Sequence, residues 1–236
     1  MAERVDEVPA SALAIYAHPD DPEVSCGGTL ARWASAGSSV HVVVCTQGDK
    51  GSSDPSVRPA ELAERRAKEM AAAADVLGLV GHHALGHPDG EIENTVELRG
   101  ELVALIRRIR PEAVVCPDPT AVFFGPSYFN HHDHRVVGWA ALDAVSPAAA
   151  QPHYFPETGE AHSVGTVFLS GTLEPDVWVD ISETVERKAQ ALLCHESQID
   201  ETAEWLRTVV RERAEEAGRQ AGVACAEGFR LFRPAG

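Results

Sequence analysis

Hydrophobic positions along this chain alternate between two spacings. Short unbroken apolar runs are separated by longer segments in which apolar residues recur every three or four positions. Leu13-Ala14-Ile15-Tyr16-Ala17 and Val40-His41-Val42-Val43-Val44-Cys45-Thr46 belong to the first kind and are too apolar for strands with a solvated face. Ala113-Val114-Val115-Cys116, Val167-Phe168-Leu169 and Val177-Trp178-Val179 read the same way, with a shorter strand near residues 82–85. Helical patterns lie between them. Gly27-Gly28 is expected to open one that carries Leu30, Trp33 and Ala34 and stops at Gly37. An alanine-rich helix covers residues 60–77, with Leu62, Met70, Ala74 and Leu77 on one stripe and Gly78 as its stop. Leu98, Leu102, Leu105 and Ile109 mark a third before Pro111, and Val137, Ala140, Ala141 and Ala144 a fourth. Two more cover residues 183–193 and about 202–217. Residues 147–165 read as a crossing loop, and Phe229-Arg230-Leu231-Phe232 as an edge strand or packed tail.

Such alternation predicts an α/β fold with a mostly parallel sheet flanked by helices. With 236 residues and 44% hydrophobic composition, one domain over residues 1–236 has enough material for a full core. The charged opening Met1-Ala2-Glu3-Arg4 does not resemble a signal peptide, and no apolar run approaches a membrane span. Five scattered cysteines form no CxxC pair and read as small buried thiols, so a cytoplasmic setting is expected. A formal charge of −16 argues against nucleic acid and anionic lipid as partners.

Two polar clusters carry the chemistry. His18-Pro19-Asp20-Asp21 begins where the first apolar run ends. Asn130-His131-His132-Asp133-His134-Arg135 lies between the run at 113–116 and the fourth helix. Both therefore fall on the edge where ligands collect in open α/β sheets, outside the carboxyl ends of the strands. Imidazoles and carboxylates crowded together call for a neutralising cation. Two histidines and one carboxylate, with water completing the shell, make an open, catalytic metal site. We take His18, Asp21 and His134 as that set. Neighbouring side chains in extended backbone point apart, so one Asp can bind metal while the other faces water. Spacing alone does not say which is which. The polar loop 47–55 is either a mobile turn or an active-site wall.

Taken together, these residues resemble the LmbE/PIG-L-like family of zinc-dependent N-deacetylases, in its actinobacterial branch. The resemblance covers Ala17-His18-Pro19-Asp20-Asp21, Thr46-Gln47-Gly48-Asp49, Arg66-Ala67-Lys68-Glu69, Leu77-Gly78, Asp89-Gly90 and His131-His132-Asp133-His134. It continues through Lys188, His195 and Ser197-Gln198. It implies a Rossmann-like fold and removal of an acetyl group from an N-acetylglucosaminyl compound, a small amino-sugar substrate. Zn2+ is the implied cofactor, with Fe2+ as the alternative, held by His18, Asp21 and His134. By the same resemblance Asp20 is the general base and His131 the acid or electrostatic partner, with Asp133 orienting it. Arg66 and Asp89 match positions that contact the sugar, and a homo-oligomer is implied.

This sequence departs from the family pattern in three places. The glutamate that commonly follows the double Asp arrives one step late, as Glu23, and His132 replaces a proline. A tyrosine found in some members two residues before the first His is Phe129 here, with Tyr128 one step off. The oxyanion donor is then His131 alone, or Tyr128 on a changed backbone path. Without the resemblance, Arg66 reads as a solvated charge and Asp89-Gly90 as a turn. His82, His83, His87, His153 and His162 read as structural or exposed, and His195 as a pocket or helix-end residue. Other substrates fit equally: a thiol-sugar conjugate or an antibiotic glycoside. The same triad also serves non-haem iron oxygenases, but those sites usually ride on all-β barrels, and Asp20 suits hydrolysis better. A metal-binding protein without catalysis is a third reading, against which Asp20 and His131 both weigh.

Overall fold

A computed structural model describes residues 3–199 and 202–234. In chain order the elements are β1 (Glu3–Arg4), β2 (Ser11–Tyr16), α1 (Asp21–Ser35), β3 (Ser39–Thr46), α2 (Pro59–Leu77), β4 (Gly81–His87) and α3 (Val96–Ile109). They continue with β5 (Ala113–Pro117), the two-residue strands β6 (Phe123–Phe124) and β7 (Tyr128–Phe129), and α4 (His132–Asp143). The chain then forms β8 (Thr166–Ser170), β9 (Val177–Asp180), α5 (Val185–Leu192), α6 (Ala203–Ala221) and β10 (Ala226–Phe232). Eight strands form one sheet in the order β1-β9-β10-β8-β5-β2-β3-β4, while β6 and β7 make a separate hairpin. The sheet is parallel from β4 to β8, and β10 runs antiparallel to both its neighbours. Among the described residues no helix is long and apolar enough to cross a membrane.

Period-two alternation in β2 explains why the core has two halves. Ala12, Ala14 and Tyr16 face one layer, with Leu30 and Trp33 of α1, Met70 and Leu77 of α2, and Leu192 of α5. Leu13, Ile15 and Ala17 face the other, with Leu98, Leu102 and Ile106 of α3 and Val137, Ala140 and Ala141 of α4. Both faces of the central strands are covered, so their sequences are apolar throughout. After β2 the chain moves one way to β3 and β4, then returns to place β5 on the other side of β2. The strand order therefore reverses between β2 and β5, and the crevice at their carboxyl ends is the natural ligand site.

Three expectations are corrected. First, α1 starts at Asp21, with Pro22 in its first turn, well before Gly27-Gly28. The glycines serve packing: a Cβ on Gly28 would meet Ile181 Cδ1 at 2.6 Å. Second, Phe229–Phe232 is neither edge nor tail, since β10 lies between β8 and β9 with Phe229 fully buried. The short β1, pairing with β9, takes the edge instead. Third, α6 runs to Ala221 and ends at Gly222 in a left-handed conformation.

The crossing segment after α4 is pinned by one buried side chain. Arg107 of α3 donates to the carbonyls of Ala148, Ala149, Gln151, Phe155 and Gly159 at 2.7–3.3 Å, adding to the amide bonds that those of Ala149, Gln151 and Phe155 accept within the segment. Arg107→Met is expected to lower unfolding free energy by about 3 kcal/mol, because the charge-assisted bonds of a buried guanidinium to five carbonyls are lost. Urea titration followed by circular dichroism measures it; a change within about 0.5 kcal/mol would show that the segment holds itself.

Candidate active site and metal centre

The turn between β2 and α1 builds half of the site. Asp20, just before α1, has φ of 114°, a region that a residue with a side chain rarely enters. Strain of this kind persists only where surroundings impose it. Here the constraint is Arg66 of α2, which is 3% exposed. Its guanidinium donates to Asp20 Oδ1 at 2.9 Å, to the carbonyl of Pro19 and to the carbonyl of Gly48 at 3.1 Å. Gly48 itself has φ of 61°, and a Cβ there would lie 2.3 Å from Arg66 Nη1. The Gln47–Asp49 stretch is thus part of the site wall. The amide of His18 donates to Asp21 Oδ2 at 2.7 Å, which closes the turn and aims the Asp21 carboxylate back at the histidine.

The other half comes from the start of α4. His18 Nδ1 and His134 Nε2 lie 3.2 Å apart, Asp21 Oδ2 is 3.3 Å from the first, and Asp21 Oδ1 is 3.1 Å from the second. Tetrahedral nitrogen and oxygen ligands at about 2.0–2.2 Å from zinc are separated by roughly 3.3–3.5 Å, so these donors fit a single ion. The outer partners select the same atoms. His134 Nδ1 lies 2.9 Å from Asn130 Oδ1, and the Asn130 amide is fixed in turn by donating to the Ala121 carbonyl. A proton on Nδ1 leaves the Nε2 lone pair facing inward. His18 is arranged the opposite way round. Its Nε2 faces Asp89 Oδ1 at 3.0 Å and Asp133 Oδ2 at 3.3 Å, which leaves Nδ1 as the inward donor.

Electrostatics points to a cation. Burial disfavours charge on His18, but Asp133, Asp21 and Asp89 override it and push the ring up to about 12. Burial also raises Asp21, yet His134 and His18 hold it well below the usual carboxylate range. Asp20 is pushed up to about 6, first by burial and then by the charge of Asp21, against the pull of Arg66. His131 caps α4 and accepts from the Asp133 amide at 3.3 Å through Nδ1. Its ring centroid is 4.9 Å from that of His18, and burial, then the His18 charge, lower its pKa.

His18, Asp20, Asp21, His131, Asp133 and His134 converge at one crevice. Asp133 sits differently from the resemblance. Its carboxylate accepts from the Gly90 amide at 2.7 Å and faces His18; only its backbone touches His131. Arg66 and Asp89, matched to sugar contacts, are engaged with Asp20 and His18 respectively. His132 lies 3.1 Å from the Ile92 carbonyl, and His195 is buried with Nε2 3.3 Å from Glu23 Oε2. Tyr128, about half exposed, lines a cavity with Asp21, Asn130 and His134. Asn130, which holds the His134 ring, is a residue to which sequence reasoning assigned no role. Its signal was its place at the head of the histidine cluster, four positions before His134.

Histidines and carboxylates that could hold a metal ion, His18, His131 and His134 with Asp89 and Asp133 beside them, lie at the switch point of the parallel sheet, as in a metal-dependent α/β enzyme class. The PIG-L family profile, described as GlcNAc-PI de-N-acetylase, matches residues 13–145, and the chain belongs to this family. It is 36% identical to diacetylchitobiose deacetylase of Thermococcus kodakarensis over 93% of this chain and 82% of the relative. Identity is 31% to a 1D-myo-inositol 2-acetamido-2-deoxy-alpha-D-glucopyranoside deacetylase of Streptomyces avermitilis, over 69% of this chain and 62% of that one. The solved structure of N,N'-diacetylchitobiose deacetylase from Pyrococcus horikoshii superimposes with a TM-score of 0.86 at 31% identity, covering 95% of this chain and 84% of the other.

Asn130→Ala is expected to weaken metal binding about 10–100-fold while leaving His18, Asp21 and His134 in place, since it frees the His134 tautomer. Competition with a chromogenic chelator measures this, and an unchanged affinity would mean that Asn130 does not set the ring.

Proposed function

We propose that this protein is a zinc-dependent N-deacetylase that hydrolyses the acetamido C–N bond of an N-acetylglucosaminyl-type substrate. The mutual approach of His18 Nδ1, Asp21 and His134 Nε2 to 3.1–3.3 Å, with Asp20 beside them, carries the reading. A zinc ion held by those three residues supplies Lewis acidity to water and to the amide carbonyl. The remaining chemistry belongs to the chain. Arg66 occupies Asp20 Oδ1, while Oδ2 has no hydrogen bond among the described residues and is free to take a proton from the attacking water. A base near pKa 6 suits work at neutral pH. Because His131 accepts at Nδ1 and is held toward its neutral form, Nε2–H is its donor. It therefore stabilises the oxyanion as the new C–O bond forms, an arrangement in which one donor contributes ~3 kcal/mol. When the C–N bond breaks, Asp20 returns its proton to the amine, leaving acetate and the free amino sugar.

The relatives' deacetylase activities support this reading over an iron oxygenase, as do the parallel sheet and the adjacent base. The resemblance extends to a homo-oligomer. Five unpaired cysteines support a cytoplasmic setting. A thiol-sugar amide or an antibiotic glycoside satisfies the same catalytic groups.

Asp20→Asn is expected to keep zinc bound but lower kcat by about 100-fold or more, because it removes the base and spares the ligands. His18→Ala and His134→Ala are expected to lose the ion on gel filtration, scored by elemental analysis. Acetate release from N-acetylglucosaminyl glycosides measures turnover. Undiminished turnover in Asp20→Asn would remove the base, and full zinc retention in both alanine variants would remove the ligand set.

A further inference from the structure

Helix α1 is broken close to the metal ligands. Cys26 has φ of −146° and ψ of 18°, outside the helical range, so α1 consists of a short turn over residues 21–25 and a longer segment after the break. The short turn carries Asp21, whose carboxylate faces His18 and His134. It also carries Val24 and Ser25, which line the same cavity as Asp21 and His134. The angle at the break therefore decides where these groups stand.

A helix that starts afresh leaves its first amides without carbonyl partners. Two of these amides, of Gly28 and Thr29, donate at 3.1 and 2.8 Å to the two oxygens of Glu227, a β10 residue that is only 6% exposed. Glu227 caps the longer segment with both oxygens, where a negative charge also suits the helix dipole. Lys188 of α5 is its counter-ion, with Nζ 2.6 Å from Oε1. The Lys188 stem runs over Gly27, where a Cβ would lie 3.3 Å from Lys188 Cγ. From another side, the Thr184 hydroxyl donates to the Gly28 carbonyl at 2.8 Å. A buried ion pair adds little stability over apolar side chains of the same volume. Apolar side chains, however, would offer the freed amides no acceptor, and the break would not be held at one angle.

We infer that Glu227 is a positioning residue for the metal site. By holding the amides of Gly28 and Thr29 it fixes the break in α1, and so sets Asp21 against His18 and His134. The inference rests on the proposed ligand set and adds to it a residue that acts through the α1 backbone.

The test compares Glu227→Gln with Arg107→Met, a destabilising change in the opposite layer, in the full chain loaded with Co2+ in place of zinc. Glutamine has nearly the same shape, but it offers one acceptor oxygen and turns an NH2 group on the other amide. Glu227→Gln is expected to shift the visible d–d absorption of bound Co2+ and to weaken Co2+ binding about 10-fold in chelator competition. It is also expected to speed amide exchange at residues 21–25 about 10-fold, well below the unfolding temperature. Arg107→Met is expected to change none of the three. If Glu227→Gln unfolds more easily but keeps the wild-type Co2+ spectrum, Co2+ affinity and exchange at residues 21–25, Glu227 only stabilises the fold and the inference is overturned. Should Glu227→Gln fail to fold, Glu227→Asp, which keeps the charge but withdraws it by one methylene, is read in the same way. A wild-type chain that binds no Co2+ would remove the ligand set. Exchange at residues 21–25 then still decides the hold on the turn: faster exchange in Glu227→Gln alone supports it, and wild-type exchange overturns it.

Discussion

Two imidazole lone pairs and a carboxylate held within 3.3 Å of one another repel unless a positive charge lies among them. Much of the surrounding structure holds this grouping in place. Asn130 and Ala121 fix one ring, and Asp89 and Asp133 fix the other. The two carboxylates beside His18 are costly to bury near Asp21, and they are tolerated because the His18 ring, the Gly90 amide and any cation held there offset their charge. Ligand geometry and electrostatic sign are therefore set by the same few residues.

Position along the sheet makes the grouping attainable. The strand order reverses between β2 and β5, so the segments leaving their carboxyl ends diverge and leave a crevice. His18, Asp20 and Asp21 occupy the turn after β2, while Asn130, His131 and His134 follow β5 by way of the β6–β7 hairpin. Arg66 crosses from α2 and ties the strained Asp20 backbone to the Gly48 turn, bringing a third connection into the wall. A guanidinium suits this position because its planar fork reaches the Pro19 carbonyl, the Gly48 carbonyl and the Asp20 carboxylate together.

Local pattern revealed most of the frame. The apolar runs at 13–17, 40–46 and 113–116 are strands because both their faces are covered, and the stripe from Leu62 to Leu77 is a helix stopped by Gly78 in a left-handed conformation. Sequence pattern failed where a choice depended on distant packing. Gly28 looks like a helix opener until Ile181, more than 150 residues away, is seen against it. The β10 run looks terminal until it inserts between β8 and β9. The same limit applies in the site. The meeting of the two clusters was legible, since imidazoles and carboxylates crowded at the carboxyl ends of neighbouring strands call for one another or for a cation. The Arg66–Asp20 contact spans 46 residues, and the turn of Asp133 toward His18 depends on the entry angle of α4; neither leaves a mark in local spacing.

Proton and metal compete for one atom in this arrangement. Asp89 and Asp133 keep a proton on His18 Nε2, so a charged ring carries its second proton on Nδ1, toward Asp21. In the proposed ligand set Nδ1 is also the atom that would face the metal. The ring's strong preference for charge, up to about 12, comes from acids that equally favour a divalent ion. An ion bound by that set would displace the Nδ1 proton, so its apparent affinity would rise with pH while that proton is being lost. Removing either outer acid therefore has two opposing effects: the proton is held less tightly, and so is the ion. A carboxylate pair around one imidazole is best understood as tuning this exchange, because one acceptor already suffices to set the tautomer.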